Sequence, residues 1–241
     1  MTASAHAKPL QRPARYTMRA LLAAVLLLAL SGGVVAQSRV LTIAPIAQQT
    51  PVWCWAAVAE MLLRHLGYPG INPAGNYQCG IVGSLGGECW YNCGLPRCIT
   101  GIGTLSAFAG VLERYPDVAS HVHGRQLPAL LLEAAGTLDP EDIMQEIDAR
   151  RPIAAGISPG GLGAYLPPGI SEHVVLIVGY RHLGDRFALV VNDPMPMPNM
   201  PFNPYIRAGG QLVAPGRYEI DYDAFVRRLG YKDSLFGFKR D

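Results

Sequence analysis

The chain has 241 residues, with 20 Lys and Arg against 18 Asp and Glu, and half of its residues are hydrophobic. This length is sufficient for one or two subdomains that bury a substantial core. Beyond the first 19 residues, no block of basic residues suggests a nucleic-acid partner, so that class of function is excluded.

The N-terminal segment has the organisation of a signal peptide. Residues 1–19 are basic and contain no acid, residues 20–30 are almost wholly aliphatic, and a small-residue cleavage site follows at 34–36. We therefore predict a signal peptide at 1–36 and a secreted or periplasmic domain at 37–241, with no membrane association after cleavage. An uncleaved membrane anchor is the alternative, although the apolar run is short for a membrane span. Loss of the leader's basic residues would leave a slightly acidic protein.

The segment 48–67 predicts a helix that begins near Cys54. Apolar residues follow this cysteine at helical spacing, and Gly67 supplies a terminator. A thiol at a helix N-terminus lies at the positive end of the helix dipole and near unpaired backbone N–H groups, which favour the thiolate. We therefore interpret Cys54 as a candidate nucleophile; the alternative is a small buried hydrophobic residue. The predicted buried stripe consists of Val58, Met61, Leu62 and His65.

Four of the five cysteines lie in one Gly-rich loop, at residues 79–98. An exported protein folds in an oxidising compartment, where such cysteines form disulfides. A zinc site is the competing interpretation, but the spacing lacks the paired C-x2-C units of zinc sites. We predict two disulfides, with three possible pairings, and no metal, which leaves Cys54 as the free thiol. The four loop residues are Cys79, Cys89, Cys93 and Cys98.

Two further helices are predicted in the first half of the chain. One covers residues 101–115 and ends at Pro116, and the other begins at the capping residue Asp139. Between them, His121 and His123 alternate as in a strand. We expect these two side chains to be solvent-facing or hydrogen-bonded rather than a metal-binding pair.

After Pro152 the pattern changes from helical to β. We expect an antiparallel sheet in this half, with its second and third strands paired as a hairpin. That hairpin would place Asn192 or Asp193, which close the third strand, beside His173 at the head of the second. An ordinary structural role for these residues is the alternative. The predicted strands cover residues 153–158, 172–180 and 187–194, and a strand followed by a capped helix is predicted at 217–226.

These residues together provide the four groups that a cysteine nucleophile needs. They are a thiol, a base, a group that orients the base, and donors for the developing oxyanion. The candidates are Cys54 as the thiol, His173 as the base, Asp193 or Asn192 as the orienting group, and Gln48 or Gln49 as the oxyanion donor.

Two segments of the chain resemble the papain-like cysteine peptidases, especially their compact bacterial members. In that family a glutamine six positions before the nucleophile supplies an oxyanion amide, and a tryptophan and a small residue follow the cysteine. Gln48, Cys54, Trp55 and Ala56 match these positions. Residues 173–180 match the later family pattern, in which a histidine opens a strand that ends in Val-Gly-Tyr.

The resemblance implies an α+β, two-lobed fold with the substrate in the cleft between the lobes. The helical lobe would cover residues 48–150, including the disulfide loop 79–98, and an antiparallel β lobe would cover residues 151–241. It also implies a peptidase that acts on a peptide or protein substrate through a thioester acyl-enzyme and needs no cofactor. Together with the predicted leader, we expect a secreted monomer. The alternative functions are another acyl-transfer reaction on the same residues (amidase, deconjugating enzyme or transferase) and a non-catalytic secreted binding module.

The resemblance also suggests roles for individual residues. An Asp followed by Pro is similar to the bacterial branches of the family, including the bacteriocin-leader peptidases. Asp193 is therefore expected to orient His173, with Asn192 as the alternate. Gln48 is likewise the expected oxyanion donor, with Gln49 as its alternate.

Overall fold

The structure of the protein, a computed structural model, describes residues 38–158, 172–196 and 203–241. The predicted signal peptide at 1–36 therefore lies outside the described residues. The described part has an α+β fold in which helices pack against one antiparallel sheet. None of the helices in these ranges has the length and apolarity that a membrane span requires.

Helices and strands alternate irregularly along the described chain. The α-helices are α1 (Cys54–His65), α2 (Tyr77–Gly83), α3 (Leu105–His123), α4 (Pro140–Asp148), α5 (Pro204–Arg207) and α6 (Tyr222–Leu229). The strands are β1 (Arg39–Val40), β2 (Leu130–Ala135), β3 (Ile153–Ile157), β4 (His173–Leu183), β5 (Arg186–Asn192), β6 (Gln211–Ala214), β7 (Arg217–Asp221) and β8 (Asp233–Arg240). Two short 3-10 helices, Gly87–Trp90 and Pro96–Cys98, lie in the disulfide loop.

The sheet has the strand order β2-β8-β3-β4-β5-β7-β6, and β1 pairs with the far end of β4. The predicted hairpin of β4 and β5 is confirmed, because Leu176 lies opposite Asn192 and Tyr180 lies opposite Leu189. The chain that leaves β5 therefore runs back toward the start of β4. This return is the feature that positions the candidate site.

Helix α1 lies at the centre of the core. Every residue from Trp55 to Leu63 is buried, and the helix packs against β4 and α2. A helix that is apolar on all sides is stable only when it is buried. The prediction of a single buried stripe is therefore wrong, because the buried surface includes all sides of the helix over these residues. His65, which the stripe included, is exposed.

The prediction that Pro116 ends its helix is wrong, because α3 continues to His123. A proline inside a helix costs about 3 kcal/mol. Pro116 is itself buried, and it lies on an apolar face that extends from Phe108 to Ala119. Burial of that face offsets the cost. His121 and His123, whose alternation is compatible with a strand, consequently lie in the last turn of α3, which ends where Gly124 adopts a left-handed conformation.

Local capping signals correctly predicted where two other helices begin. Asp139 accepts hydrogen bonds from the backbone N–H groups of Glu141 and Asp142 at 2.9 and 3.0 Å. Asp221 caps α6 in the same way, by accepting the N–H of Ala224 at 3.2 Å. Such caps depend only on neighbouring residues, which is why the sequence reveals them.

One edge of the sheet is formed by segments that the sequence did not mark as strands. The last strand, β8, inserts between β2 and β3. Strand β2 belongs to the part of the chain that was expected to form the helical lobe, and it reaches the sheet through its pairing with β8. Helix α3 packs on this β2–β8 pair.

Candidate active site

Cys54 is the first residue of α1 and the free cysteine of the described chain. Its side chain is half-buried, and no side chain caps the start of the helix. The flanking indoles fix this turn, because Trp53 donates from Nε1 to the carbonyl of Cys98 at 3.1 Å and Trp55 donates to the carbonyl of Thr100 at 3.2 Å. Both acceptors lie at the end of the disulfide loop, so that loop is tied directly to the nucleophile's helix.

The four loop cysteines pair as Cys79–Cys93 and Cys89–Cys98, with Cα–Cα distances of 5.4 and 5.6 Å. The structure thus has two disulfides in place of a zinc site and selects one of the three pairings that the sequence leaves open. The two bridges interleave along the chain and close a segment that has little regular structure. Among the described residues, no group of three or more His, Cys, Asp or Glu could hold a metal ion.

His173 is the first residue of β4 and has no exposure to solvent. Its Nε2 donates to Oδ1 of Asp193 at 2.7 Å. Its Nδ1 is buried and makes no hydrogen bond of ordinary geometry within the described part of the chain. The thiol of Cys54 is the ionisable neighbour that the ring has besides Asp193. One ring nitrogen is therefore held by a carboxylate while the other is left for the thiol.

Cys54 and His173 shift each other's pKa toward an ion pair. Burial by itself raises the pKa of the Cys54 thiol, but the positive charge of the adjacent His173, with the backbone N–H groups of Val174 and Trp55, lowers it below its ordinary value. Burial by itself lowers the pKa of His173, but the Asp193 carboxylate and Cys54 raise it to about 10. Both directions favour a thiolate and an imidazolium at neutral pH.

Asp193 follows the last residue of β5 and is almost fully buried. Its Oδ1 also accepts the backbone N–H of Met195 at 2.8 Å, and its Oδ2 accepts the hydroxyl of Tyr205 at 2.9 Å. Burial and the nearby carboxylate raise the pKa of Tyr205 well above its ordinary value, so the hydroxyl stays a donor. The Tyr205 ring stacks on Tyr218 with a centroid distance of 4.1 Å. These donors stabilise the buried carboxylate and hold it in place for His173.

The side chain of Asn192 does not reach the imidazole. Its Nδ2 donates to the carbonyl of Ile43 at 2.9 Å, and its Oδ1 accepts from Nε of Arg217 at 2.8 Å. Successive side chains of a strand point to opposite faces, so Asn192 and its neighbour Asp193 contact different residues. Asn192 ties the segment after β1 to β7.

Gln48 lies six residues before Cys54 and is held by its backbone and its side chain. Its N–H donates to the carbonyl of Pro194 at 2.8 Å, and its Nε2 donates to the carbonyl of Thr50 at 2.8 Å. Its Oε1 is buried and has no hydrogen-bond partner among the described residues. The bond to Pro194 joins the segment before the nucleophile to the residue that follows Asp193.

Gln78 of α2 holds the backbone on both sides of Gln48. Its Oε1 accepts the N–H of Gln49 at 3.0 Å, and its Nε2 donates to the carbonyl of Ala47 at 2.9 Å. The same Nε2 donates to Glu60 of α1 at 3.1 Å. The side chain of Gln78 therefore connects the backbone around Gln48 to the helix that carries the thiol. The side chain of Gln49, in contrast, is exposed and bonds to the residue that caps α2.

A cavity of about 330 Å³ opens beside Cys54 and His173. One wall consists of the turn before α1 and the glycine-rich segment 101–104, which follows the disulfide loop directly. The opposite wall belongs to the sheet and includes Gly156, Glu172 and Asp233. This volume is at the lower end of the range for ligand sites and accommodates a few residues of an extended peptide.

Comparison with known proteins adds only distant structural likeness. No family model and no curated protein matches the chain. Among the solved structures that match is a crystal structure from Bacillus anthracis, described provisionally as a C39-like peptidase. The match is 11% identical, covers 85% of this chain and 100% of that chain, and has a TM-score of 0.43. At that identity and TM-score, the likeness assigns no role to any residue.

Sequence reasoning missed Tyr205 and Gln78. Tyr205 follows Asn203-Pro204, a capping residue and a proline at the first helical position, so a helix start was detectable there. The contact of Tyr205 with Asp193 could not be predicted, because no local sequence pattern relates the two positions. Gln78 precedes Cys79 in a segment that the sequence marked only by its cysteines, and no signal there predicts its two backbone contacts.

Proposed function

We propose that the protein is a secreted cysteine peptidase that hydrolyses peptide bonds through a triad of Cys54, His173 and Asp193. The observation that carries this proposal is the buried imidazole. Its Nε2 is held at 2.7 Å by a buried carboxylate, and its Nδ1 is unpaired beside a free thiol at a helix N-terminus. This is the arrangement that activates a cysteine nucleophile.

In the first half of the proposed reaction, the Cys54 thiolate attacks the carbonyl carbon of a peptide bond and a carbon–sulfur bond forms. The tetrahedral intermediate collapses, the carbon–nitrogen bond breaks, and the imidazolium of His173 gives its proton to the leaving amine. Asp193 keeps the ring oriented and stabilises its positive charge throughout.

In the second half, water attacks the thioester carbonyl while neutral His173 accepts one of its protons. The carbon–sulfur bond breaks, the acid product leaves, and the thiolate–imidazolium pair is restored. No cofactor is needed in this sequence, since the nucleophile and the proton carrier are both side chains of the chain.

The proposed oxyanion donors are the backbone N–H of Cys54 and the side-chain amide of Gln48. The first N–H groups of a helix have no intrahelical acceptor, and Cys54 is the first residue of α1. One N–H of the Gln48 amide donates to Thr50, and in this proposal the second donates to the oxyanion. Gln49 fits less well, because its side chain is exposed and bonds toward α2.

We further propose that the cleft lies between a helical lobe and a β lobe, as the papain-like resemblance implies. The position of Cys54 on α1 and of His173 on β4, on opposite walls of one cavity, supports this arrangement. Export as a monomeric domain of residues 37–241 after cleavage of the leader is part of the same proposal. The two disulfides support an oxidising destination.

A peptide library tests the proposal. The mature chain is incubated with the library under mild reduction that spares the disulfides, and Cys54→Ala serves as the inactive control. We expect cleaved products with the wild type alone. Products joined to an added amine would instead indicate a transferase on the same residues, and a lack of any turnover of peptides or amides would favour the binding module.

A further inference from the structure

The sheet-side wall of the cavity carries two carboxylates, Glu172 and Asp233, and no Lys or Arg of the described segments lines the cavity. Glu172 precedes His173 at the start of β4, and Asp233 is the first residue of β8. His173 follows Glu172 on this wall, and Cys54 lines the same cavity from α1. The part of the cavity that would receive a substrate side chain is therefore negatively charged on its sheet side.

The two carboxylates differ in their partners. Glu172 forms an ion pair with Lys232, which is not one of the residues that line the cavity. Asp233 makes no direct ion pair or side-chain hydrogen bond within the described ranges. The Lys232 ammonium also interacts with Asp233 through space, but one ammonium does not neutralise two carboxylates, so this group of three side chains keeps a net negative charge.

Gly156 of β3 leaves the Asp233 carboxylate accessible from the cavity. The two residues are partners in the β3–β8 pairing. A Cβ at position 156 would lie 3.5 Å from Cβ of Asp233 and 3.8 Å from its Oδ2. A larger side chain at this position would fill the space along the carboxylate, whereas glycine leaves room there for a substrate side chain.

We propose that Asp233 is a specificity-determining residue that selects peptides with a lysine or arginine side chain next to the cleaved bond. This inference rests on the proposed peptidase function and names its substrate class. The alkyl part of the basic side chain lies over Gly156, and its charged end pairs with Asp233. A charge-assisted hydrogen bond in a half-buried pocket discriminates more strongly than an exposed pair does.

The test compares matched peptides that differ at a single position near the scissile bond, which carries arginine, lysine, norleucine or glutamate. Norleucine has nearly the length of lysine and no charge, so it isolates the electrostatic contribution. We expect kcat/KM of the wild type to be at least about tenfold higher for arginine or lysine than for norleucine. Asp233→Asn should reduce that ratio to near one, and Asp233→Lys should favour glutamate.

Asp117→Asn is the matched control, because Asp117 is an exposed carboxylate of α3 that does not line the cavity. It should keep the wild-type ratio. Equal rates for arginine and norleucine with the wild type, or a preference for arginine that survives Asp233→Asn, would overturn the inference while leaving the peptidase function intact.

A binding measurement separates this inference from the proposed function. Fluorescently labelled peptides of the same set are titrated into Cys54→Ala and into Cys54→Ala/Asp233→Asn. Tighter binding of the arginine peptide to the first protein only supports the pocket, even if no peptide is cleaved. Equal binding of the arginine and norleucine peptides to both proteins rejects it.

Discussion

The hydroxyl of Tyr205 lies 2.9 Å from Oδ2 of Asp193, so the carboxylate that holds His173 is itself anchored from a separate part of the chain. We expect Tyr205→Phe to lower kcat/KM about tenfold, because the loosened carboxylate orients the imidazole less well. Tyr222→Phe is the control, since it removes a hydroxyl bonded to the Leu138 carbonyl at 2.9 Å. Equal activity of the two variants would show that Tyr205 has only a structural role.

Substitution of Asp193 should separate charge from orientation. Asp193→Ala leaves Nε2 of His173 without its acceptor, and we expect kcat/KM to fall about a thousandfold or more. Asp193→Asn keeps an oxygen for His173 and removes the negative charge, so its loss should be intermediate. Because Asp193 raises the pKa of His173, the alkaline limb of the pH–rate profile should move to lower pH in Asp193→Asn.

Asn192→Ala is the adjacent comparison for the Asp193 variants. It removes the hydrogen bonds of the Asn192 side chain to the Ile43 carbonyl and to the Arg217 guanidinium, which still contact each other, so we expect a loss of about 1–3 kcal/mol in the free energy of unfolding. Its folded fraction should keep most of its kcat. If Asn192→Ala abolished activity without destabilising the protein, the assignment of the orienting residue would have to pass from Asp193 to Asn192.

The pH dependence of thiol alkylation tests the ion pair. The pKa of Cys54 is lowered and that of His173 is raised to about 10, so the thiolate–imidazolium pair exists between the two values. Iodoacetamide should therefore alkylate Cys54 at pH values well below the ordinary thiol pKa of about 8.5. The rate should fall as pH drops through the Cys54 pKa. In His173→Ala the acidic labelling should disappear, as followed by mass spectrometry of the Cys54 peptide.

Gln78 should act on catalysis through Gln48. We expect Gln48→Ala to lower kcat about a hundredfold, as loss of an oxyanion donor does, with little change in KM. Gln78→Ala should have a smaller effect in the same direction, because it releases the backbone on both sides of Gln48. The double variant should be no slower than Gln48→Ala alone. Additive losses would mean that Gln78 acts independently of Gln48.

Removal of one disulfide should weaken the cavity wall more than the chemistry. In Cys89→Ser/Cys98→Ser, the disulfide no longer restrains the backbone carbonyls of Cys98 and Thr100, which accept hydrogen bonds from the indoles of Trp53 and Trp55. We expect KM to rise and tryptophan fluorescence to change, with about 2–4 kcal/mol lost in stability. The rate of Cys54 alkylation should change little. A loss of alkylation with KM preserved would contradict this view of the loop.

The elements that sequence reasoning located share one property, which is that neighbouring residues determine them. Asp139 begins its helix because its own carboxylate reaches the next two N–H groups. Pro116 misled the prediction because its local cost is outweighed by burial that depends on the rest of the fold. Strand β8 has no strong local signal, and it is a strand because β2 and β3 flank it.

For the candidate site, the sequence by itself determined the residue types and their order: a cysteine at a helix start, a histidine at a strand head, and an Asn-Asp pair at the end of the next strand. Only the tertiary structure decided that Asp193 rather than Asn192 contacts His173. The register of β4 with β5 and the alternation of side chains along a strand set that choice. The tertiary structure also determined how the loop cysteines pair and that the Tyr205 hydroxyl contacts Asp193. Neither follows from a local sequence pattern, because each depends on how the chain brings separate residues together.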